Sequence, residues 1–214
     1  MKQLLFFLVL SIHLLTGCVK QNAIFGKNSP VNLDEQLEEK KGLWFIVGEG
    51  ELYTGDVFSN YESGTLAVQG SIVNGVPQGK WTYWHENGQK KSEGNILYGT
   101  EEGLWVSWYE NGEKKVEGSV NNGQIEGMWM YWYEDGSRKA VRNFKNGREH
   151  GFWQSWYENG QVSGSGNTFF GKQDGTWTKW DEDGNKILEQ VYEKGQLIKE
   201  ENTSSEIPDE SEEQ

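Results

Sequence analysis

Side chains able to do chemistry are few in this 214-residue chain, and their spacing argues against catalysis. There is one cysteine, Cys18, and the three histidines, His13, His85 and His150, are far apart. Neither a Cys–His pair nor a histidine metal cluster is suggested. One carboxylate recurs, because Glu62, Glu86, Glu110, Glu134, Glu158 and Glu182 follow one another at 24-residue intervals. Acid–base work needs a carboxylate within hydrogen-bond reach of a bound substrate, whereas a glutamate repeated beside a turn is a solvated strand end. The glycines are spaced singly, as turns, and do not form a phosphate-cradling loop ahead of a helix. No catalytic residue, metal site or cofactor is expected, and the chain reads as a non-enzyme.

Tryptophan is the other candidate, since its ring takes apolar groups and stacks on sugars. Ten of the eleven tryptophans lie in five W-x-x-W pairs, Trp81/Trp84, Trp105/Trp108, Trp129/Trp132, Trp153/Trp156 and Trp177/Trp180, again 24 residues apart without an insertion. A weaker copy begins at Gly55, with Val57 and Asn60 in the tryptophan places. Each unit is numbered from its first glycine: Gly55, Gly79, Gly103, Gly127, Gly151 or Gly175. The tryptophans are then positions 3 and 6, the glutamate is position 8 and a glycine is position 10. Position 9 is Asn or Asp in the five tryptophan units, and Asn-Gly or Asp-Gly between apolar runs signals a two-residue type I′ hairpin turn. Position 21 is glycine in all six units and reads as the turn into the next one. The expected fold is all-β: an elongated single-layer antiparallel meander of six β-hairpin repeats. Its about twelve strands, at ~4.8 Å each, make a sheet about 55 Å long.

A two-residue turn at positions 9 and 10 makes facing positions within a hairpin sum to 19. Position 3 then faces position 16, which is glycine at Gly70, Gly94, Gly118 and Gly166 and leaves room for an indole to lie flat on backbone. Position 6 faces position 13, namely Lys91, Lys115, Lys139, Ser163 and Ile187. Three units are thus expected to place a lysine over an indole, a contact of ~0.5–1 kcal/mol. Position 6 falls on the face opposite position 3, unless a β-bulge between them brings both rings to one face. A single-layer sheet cannot hide both faces. The position-6 row, Trp84, Trp108, Trp132, Trp156 and Trp180, with the adjacent Tyr109, Tyr133 and Tyr157, is therefore the candidate binding surface. The plainer reading is a structural row half-covered by lysine stems.

Residues 1–17 open with Lys2, run through an apolar stretch from Leu4 to Leu15 broken by Ser11 and His13, and end on small residues. That is the layout of a secretory signal peptide, too short to span a bilayer. Leu15-Thr16-Gly17-Cys18 resembles the bacterial lipobox, which implies that Cys18 is lipidated and becomes the new N-terminus. The expectation is an exported domain, lipid-anchored to a bacterial membrane (the outer one where the cell has two), in the periplasm or at the cell surface. With its one cysteine so used, the fold must be stable without disulfides. Residues 18–41 read as a flexible spacer, with a short helix allowed at Asn32 to Lys41. Residues 42–54 read as a capping region whose strand Leu43 to Val47, with Trp44, covers the first edge of the sheet. The repeat sheet is expected over 55–198, and a disordered acidic tail over 199–214. The Lys- and Glu-rich stretch from Glu193 to Glu201 is expected to protect the last edge. A net charge of −13, or −14 once Lys2 is lost, disfavours nucleic acid and anionic lipid faces as partners.

The W-x-x-W pair, the Glu-Asn-Gly turn and the following Asn-Gly turn in a glycine-aromatic unit of this length resemble the bacterial variant of the MORN repeat (membrane occupation and recognition nexus). The resemblance covers residues 55 to about 198. It implies a single-layer antiparallel sheet, recognition of protein or membrane through its aromatic face, and no catalysis by the repeat. Many proteins of this type are labelled antitoxins, so an antitoxin or immunity protein that binds a toxin directly is the alternative expectation. The lipobox departs from a cytosolic antitoxin. A monomeric surface-tethered module binding an envelope protein or a cell-wall glycan is the leading expectation.

Overall fold

The computed structural model describes residues 29–203; the leader, Cys18 and the acidic tail beyond Thr203 lie outside the described residues. Three short elements come first: β1 (Val31–Asn32), α1 (Leu33–Gln36) and the hairpin of β2 (Leu37–Lys40) and β3 (Leu43–Ile46). Six long hairpins follow. They are β4 (Gly55–Asn60) with β5 (Leu66–Val73), β6 (Val76–Trp84) with β7 (Lys90–Leu97), and β8 (Thr100–Trp108) with β9 (Lys114–Asn121). Then come β10 (Gln124–Trp132) with β11 (Arg138–Lys145), β12 (Arg148–Trp156) with β13 (Val162–Phe169), and β14 (Lys172–Trp180) with β15 (Lys186–Glu193). The last strand is β16 (Gln196–Asn202). All but β2 and β3 belong to one 14-stranded sheet, ordered β1-β4-β5 and then consecutively to β16. The all-β meander of six hairpins is the fold the repeat predicts, and β1 and β16 add a strand at each edge beyond the expected twelve.

Both turns of the unit lie where glycine marks them, but their types differ from expectation. Positions 20 and 21 form the two-residue turn with positive φ at both residues, as at Asn74 (48°) and Gly75 (76°). The turn at positions 8 to 10 is one residue longer. Gly88 N–H donates to the His85 carbonyl (2.9 Å), His85 N–H donates to the Gln89 carbonyl (2.8 Å), and only the glycine of the loop has positive φ, 85°. This is a type I turn closed by a glycine bulge. The same turn forms with Ser63, Asp135 and Asp183 in the place of Asn87, and the Asn87 side chain lies across it. Its Oδ1 accepts the Gln89 N–H (3.0 Å), and its Nδ2 donates to the Glu110 carbonyl of the next unit (2.7 Å).

The longer turn offsets the register by one residue, and an extra residue restores it. Trp84 faces Lys90 at position 12, not Lys91 at position 13, whereas Tyr83 faces Ser92 and Trp81 faces Gly94. Lys91 is the bulged residue, and Trp108 facing Lys114 repeats the arrangement. The expected pairing of positions 3 and 16 holds beyond the bulge, while that of positions 6 and 13 does not.

Residues 31–46, within the stretch expected to be spacer and capping region, pack against the first hairpins. Val31, Leu33 and Leu37 are buried with Tyr53, Val57, Val68, Ile72 and Trp81, and Trp44, Ile46, Tyr83 and Ile96 pack around them. The Asn32 side chain caps α1 by accepting the Asp34 N–H (3.0 Å). Only α1, over Leu33–Gln36, realises the short helix allowed there. β3, expected to close the first edge, instead pairs with β2 and donates from Trp44 N–H to the Gly75 carbonyl at a turn (2.8 Å). The edge is taken by β1, parallel to β4. A degenerate first hairpin without tryptophans leaves apolar Val57, Val68 and Ile72 to be covered, and this segment covers them. At the other end the tail boundary shifts, because Glu200 and Glu201 lie within β16, paired with Gln190 and Glu189.

Candidate partner-binding face

The two tryptophans of each unit have different neighbours. At position 3 the indole lies over a position-16 glycine of the preceding unit, not of its own. A Cβ built on Gly70, Gly94, Gly118 or Gly166 would run into Trp81, Trp105, Trp129 or Trp177, respectively. Where position 16 is Arg142 the ring cannot lie there. Trp153 turns instead toward Gly164, whose Cβ would stand 2.9 Å from it, and packs on Trp177 with centroids 5.1 Å apart. Arg142 fills the vacated place, its guanidinium 5.4 Å from the Tyr131 ring and 3.0 Å from Glu149.

The position-6 tryptophans point the other way, as strand alternation requires for residues an odd number apart. Trp84 lines a shallow hollow with Gln69, Ser71, Lys80, Thr82, Lys90 and Glu93, and none of these belongs to the cluster around Trp81. All five position-6 rings are half-buried. The expected cation–π contacts are shifted by the bulge. Lys90 at position 12 lies 5.6 Å from the ring of Trp108 in the next unit, and Lys114 lies 5.0 Å from Trp132. Position-13 lysines go to tyrosines of their own unit, Lys115 to Tyr109 (5.1 Å) and Lys139 to Tyr133 (5.0 Å). Lys90 and Lys114 also bond Glu93 (2.7 Å) and Glu117 (2.6 Å), and the bond from Lys90 holds the Glu93 carboxyl below the usual range.

Tyr109, Tyr133 and Tyr157 were candidates for binding, but their hydroxyls are engaged within the array. Each donates to the backbone carbonyl of the next unit's position-6 tryptophan: Tyr109 to Trp132 (2.8 Å), Tyr133 to Trp156 (2.8 Å) and Tyr157 to Trp180 (2.9 Å). Tyr61 does the same to Trp84 (2.6 Å), and His85 Nε2 takes the role toward Trp108 (3.0 Å). Burial, with Glu134 beside Tyr109 and Glu158 beside Tyr133, raises both hydroxyls above their usual range and keeps them protonated donors. In the last unit position 7 is Asp181, which turns back to accept the Asn185 N–H (2.8 Å). The position-8 glutamates are all exposed, and they lie in the turn and not at the strand ends.

Sequence reasoning missed a row on the same face as the position-6 tryptophans. Position 2 holds Leu104, Met128 and Phe152 in three successive units, 53%, 54% and 45% exposed. Its face is fixed by the first tryptophan unit, where Lys80 at position 2 reaches Glu93 across the strand (3.2 Å). The row was legible, since positions 2, 4 and 6 of one strand share a face.

A single layer of hairpins, bonded each to the next and aromatic on both faces, defines a β-hairpin repeat protein. Residues 77–97, 101–122 and 173–194 match the family described as MORN repeat variant. Three of the six units are thus similar to the MORN repeat variant. No curated protein matches it. Arg142, His150 and Phe170, which depart from the glycine, acceptor and asparagine of neighbouring units, lie between the second and third matched segments.

Proposed function

We propose that this protein is a non-enzymatic module, exported and held to a membrane through lipid on Cys18, that takes a protein partner on the face carrying the position-6 tryptophans. The observation behind this reading is the exposed row Leu104, Met128 and Phe152 beside the half-buried rings of Trp108, Trp132 and Trp156. Exposed apolar patches on a stable sheet mark interaction sites. The rings of Trp108 and Trp132 lie under lysine ammonium groups, and Leu, Met and Phe add greasy contact without hydrogen bonds. That chemistry suits apolar protein side chains better than the hydroxyl-rich face of a glycan.

Capture from the envelope fraction tests the reading, with the wild-type chain compared to a Trp108→Ala/Trp132→Ala variant. Partners held by the wild type and lost from a variant that stays folded are the expected result, and identical captures would end it. A toxin among the lost partners makes the module an antitoxin.

A further inference from the structure

The apolar row is part of a larger area with unusual electrostatics for so acidic a chain. From β11 through β13 the side chains at positions 2, 4, 15 and 17 on this face, Val141, Asn143, Phe152, Gln154, Ser165 and Asn167, carry no charge, and charge enters at the strand ends, with Arg138 opposite Trp132 and Lys145 opposite Arg148. Lys114 and Glu117, on β9 between Leu104 and Met128, are the charged pair within the area and neutralise one another at 2.6 Å. The cap formed by β1, α1, β2 and β3 packs on the opposite face with Trp81 and Ile72 and leaves this one bare.

Three hairpins, six strands at ~4.8 Å spacing and about 25 Å of strand, give a footprint of roughly 700 Å². A stable protein interface needs about 800 Å² from each partner, and this area, which already includes Trp108, Trp132 and Trp156, comes close to that size. Position-2 side chains recur every two strands, at ~9.6 Å, and leave gaps about one side chain wide between them. A row of the same spacing fits those gaps, and two sheets stack face to face at ~10 Å with strands about 30° apart. The charges on this face are the Lys114–Glu117 pair and the basic Arg138, Lys145 and Arg148 at the strand ends, so the acidic excess behind the net charge of −13 is not concentrated where two copies would meet. Running the arrays in opposite directions across a two-fold axis places the acidic C-terminal edges at opposite ends.

From these features we infer that the occupant of this face is a second copy of the chain, the two sheets stacking through Leu104, Met128 and Phe152 of each. The inference rests on the reading of this face as the interaction surface and names its partner. The same face then joins two membrane tethers, which makes attachment of the pair firmer than that of either copy.

Sedimentation of the detergent-solubilised full chain over a micromolar range tests it. The expected mass is that of two copies, and Met128→Glu with Phe152→Glu, both at exposed positions, raises the dissociation constant at least 100-fold while circular dichroism is unchanged. Leu104→Glu alone gives a smaller shift in the same direction. Ile198→Glu, on the free edge strand β16, leaves the pair intact. A single-copy mass at every concentration overturns the inference, as does a pair that survives Met128→Glu/Phe152→Glu or is lost in Ile198→Glu. A single-copy chain whose envelope capture still requires Trp108 and Trp132 refutes self-pairing and leaves the proposed binding role standing. A pair that captures nothing else has the reverse meaning.

Discussion

Trp81 and Trp84 are three residues apart on one strand and are put to different uses. Trp81 is 6% exposed, flat over Gly70 and enclosed by Val57, Val68, Ile72 and the N-terminal cap. Trp84 is half-buried among Thr82, Lys90 and Glu93 on the other side of the sheet. Down the array the contrast persists, with glycine under four of the five position-3 rings and lysine over two of the position-6 rings. What an indole does here is decided by the residue on the neighbouring hairpin: a missing Cβ makes a stacking floor, and a lysine stem makes a partial cover.

The largest expected effect breaks this contrast if it is absent. Trp81→Ala removes a buried ring from the one enclosed cluster and is expected to cost about 3–5 kcal/mol in urea unfolding, whereas Trp84→Ala is expected to cost less than half as much. Equal costs would mean that the two faces are equally structural. A smaller effect is expected where the hairpins are bonded to one another. Tyr133→Phe keeps the ring under Lys139 and deletes only the donor to the Trp156 carbonyl, for a loss of about 1 kcal/mol in the same measurement. The smallest is a gain. Tyr98 is 81% exposed and held at φ 51°, a conformation that asparagine adopts at the equivalent Asn74, Asn122 and Asn146. Tyr98→Asn is therefore expected to raise stability by about 0.5 kcal/mol, read as a higher thermal midpoint.

The longer turn at positions 8 to 10 has a local consequence. An Asn-Gly pair is compatible both with a two-residue turn and with a type I turn closed by a glycine bulge, and the dipeptide does not choose between them. The one-residue error moved the lysines to the wrong rings. It left Trp81 opposite Gly94 because a bulge at Lys91 restores the register. The sequence offers the position-7 tyrosines as ligand-binding groups for a similar reason. Their acceptors are carbonyls 23 residues away, and a carbonyl carries no mark of its role in the sequence.

By itself the sequence determined the unit, the hairpins, their order and the alternation that separates the two tryptophan rows. These follow from a 24-residue period and a strand period of two, both local and repeated without a break. Only the tertiary structure decided which hairpin supplies the floor under each ring, where residues 31–46 pack, and that Leu104, Met128 and Phe152 stand uncovered. Those outcomes depend on contacts between neighbouring hairpins and on which face the N-terminal segment reaches first. A periodic sequence presents nearly the same choice at every repeat, and the asymmetry comes from the end at which the cap lies down.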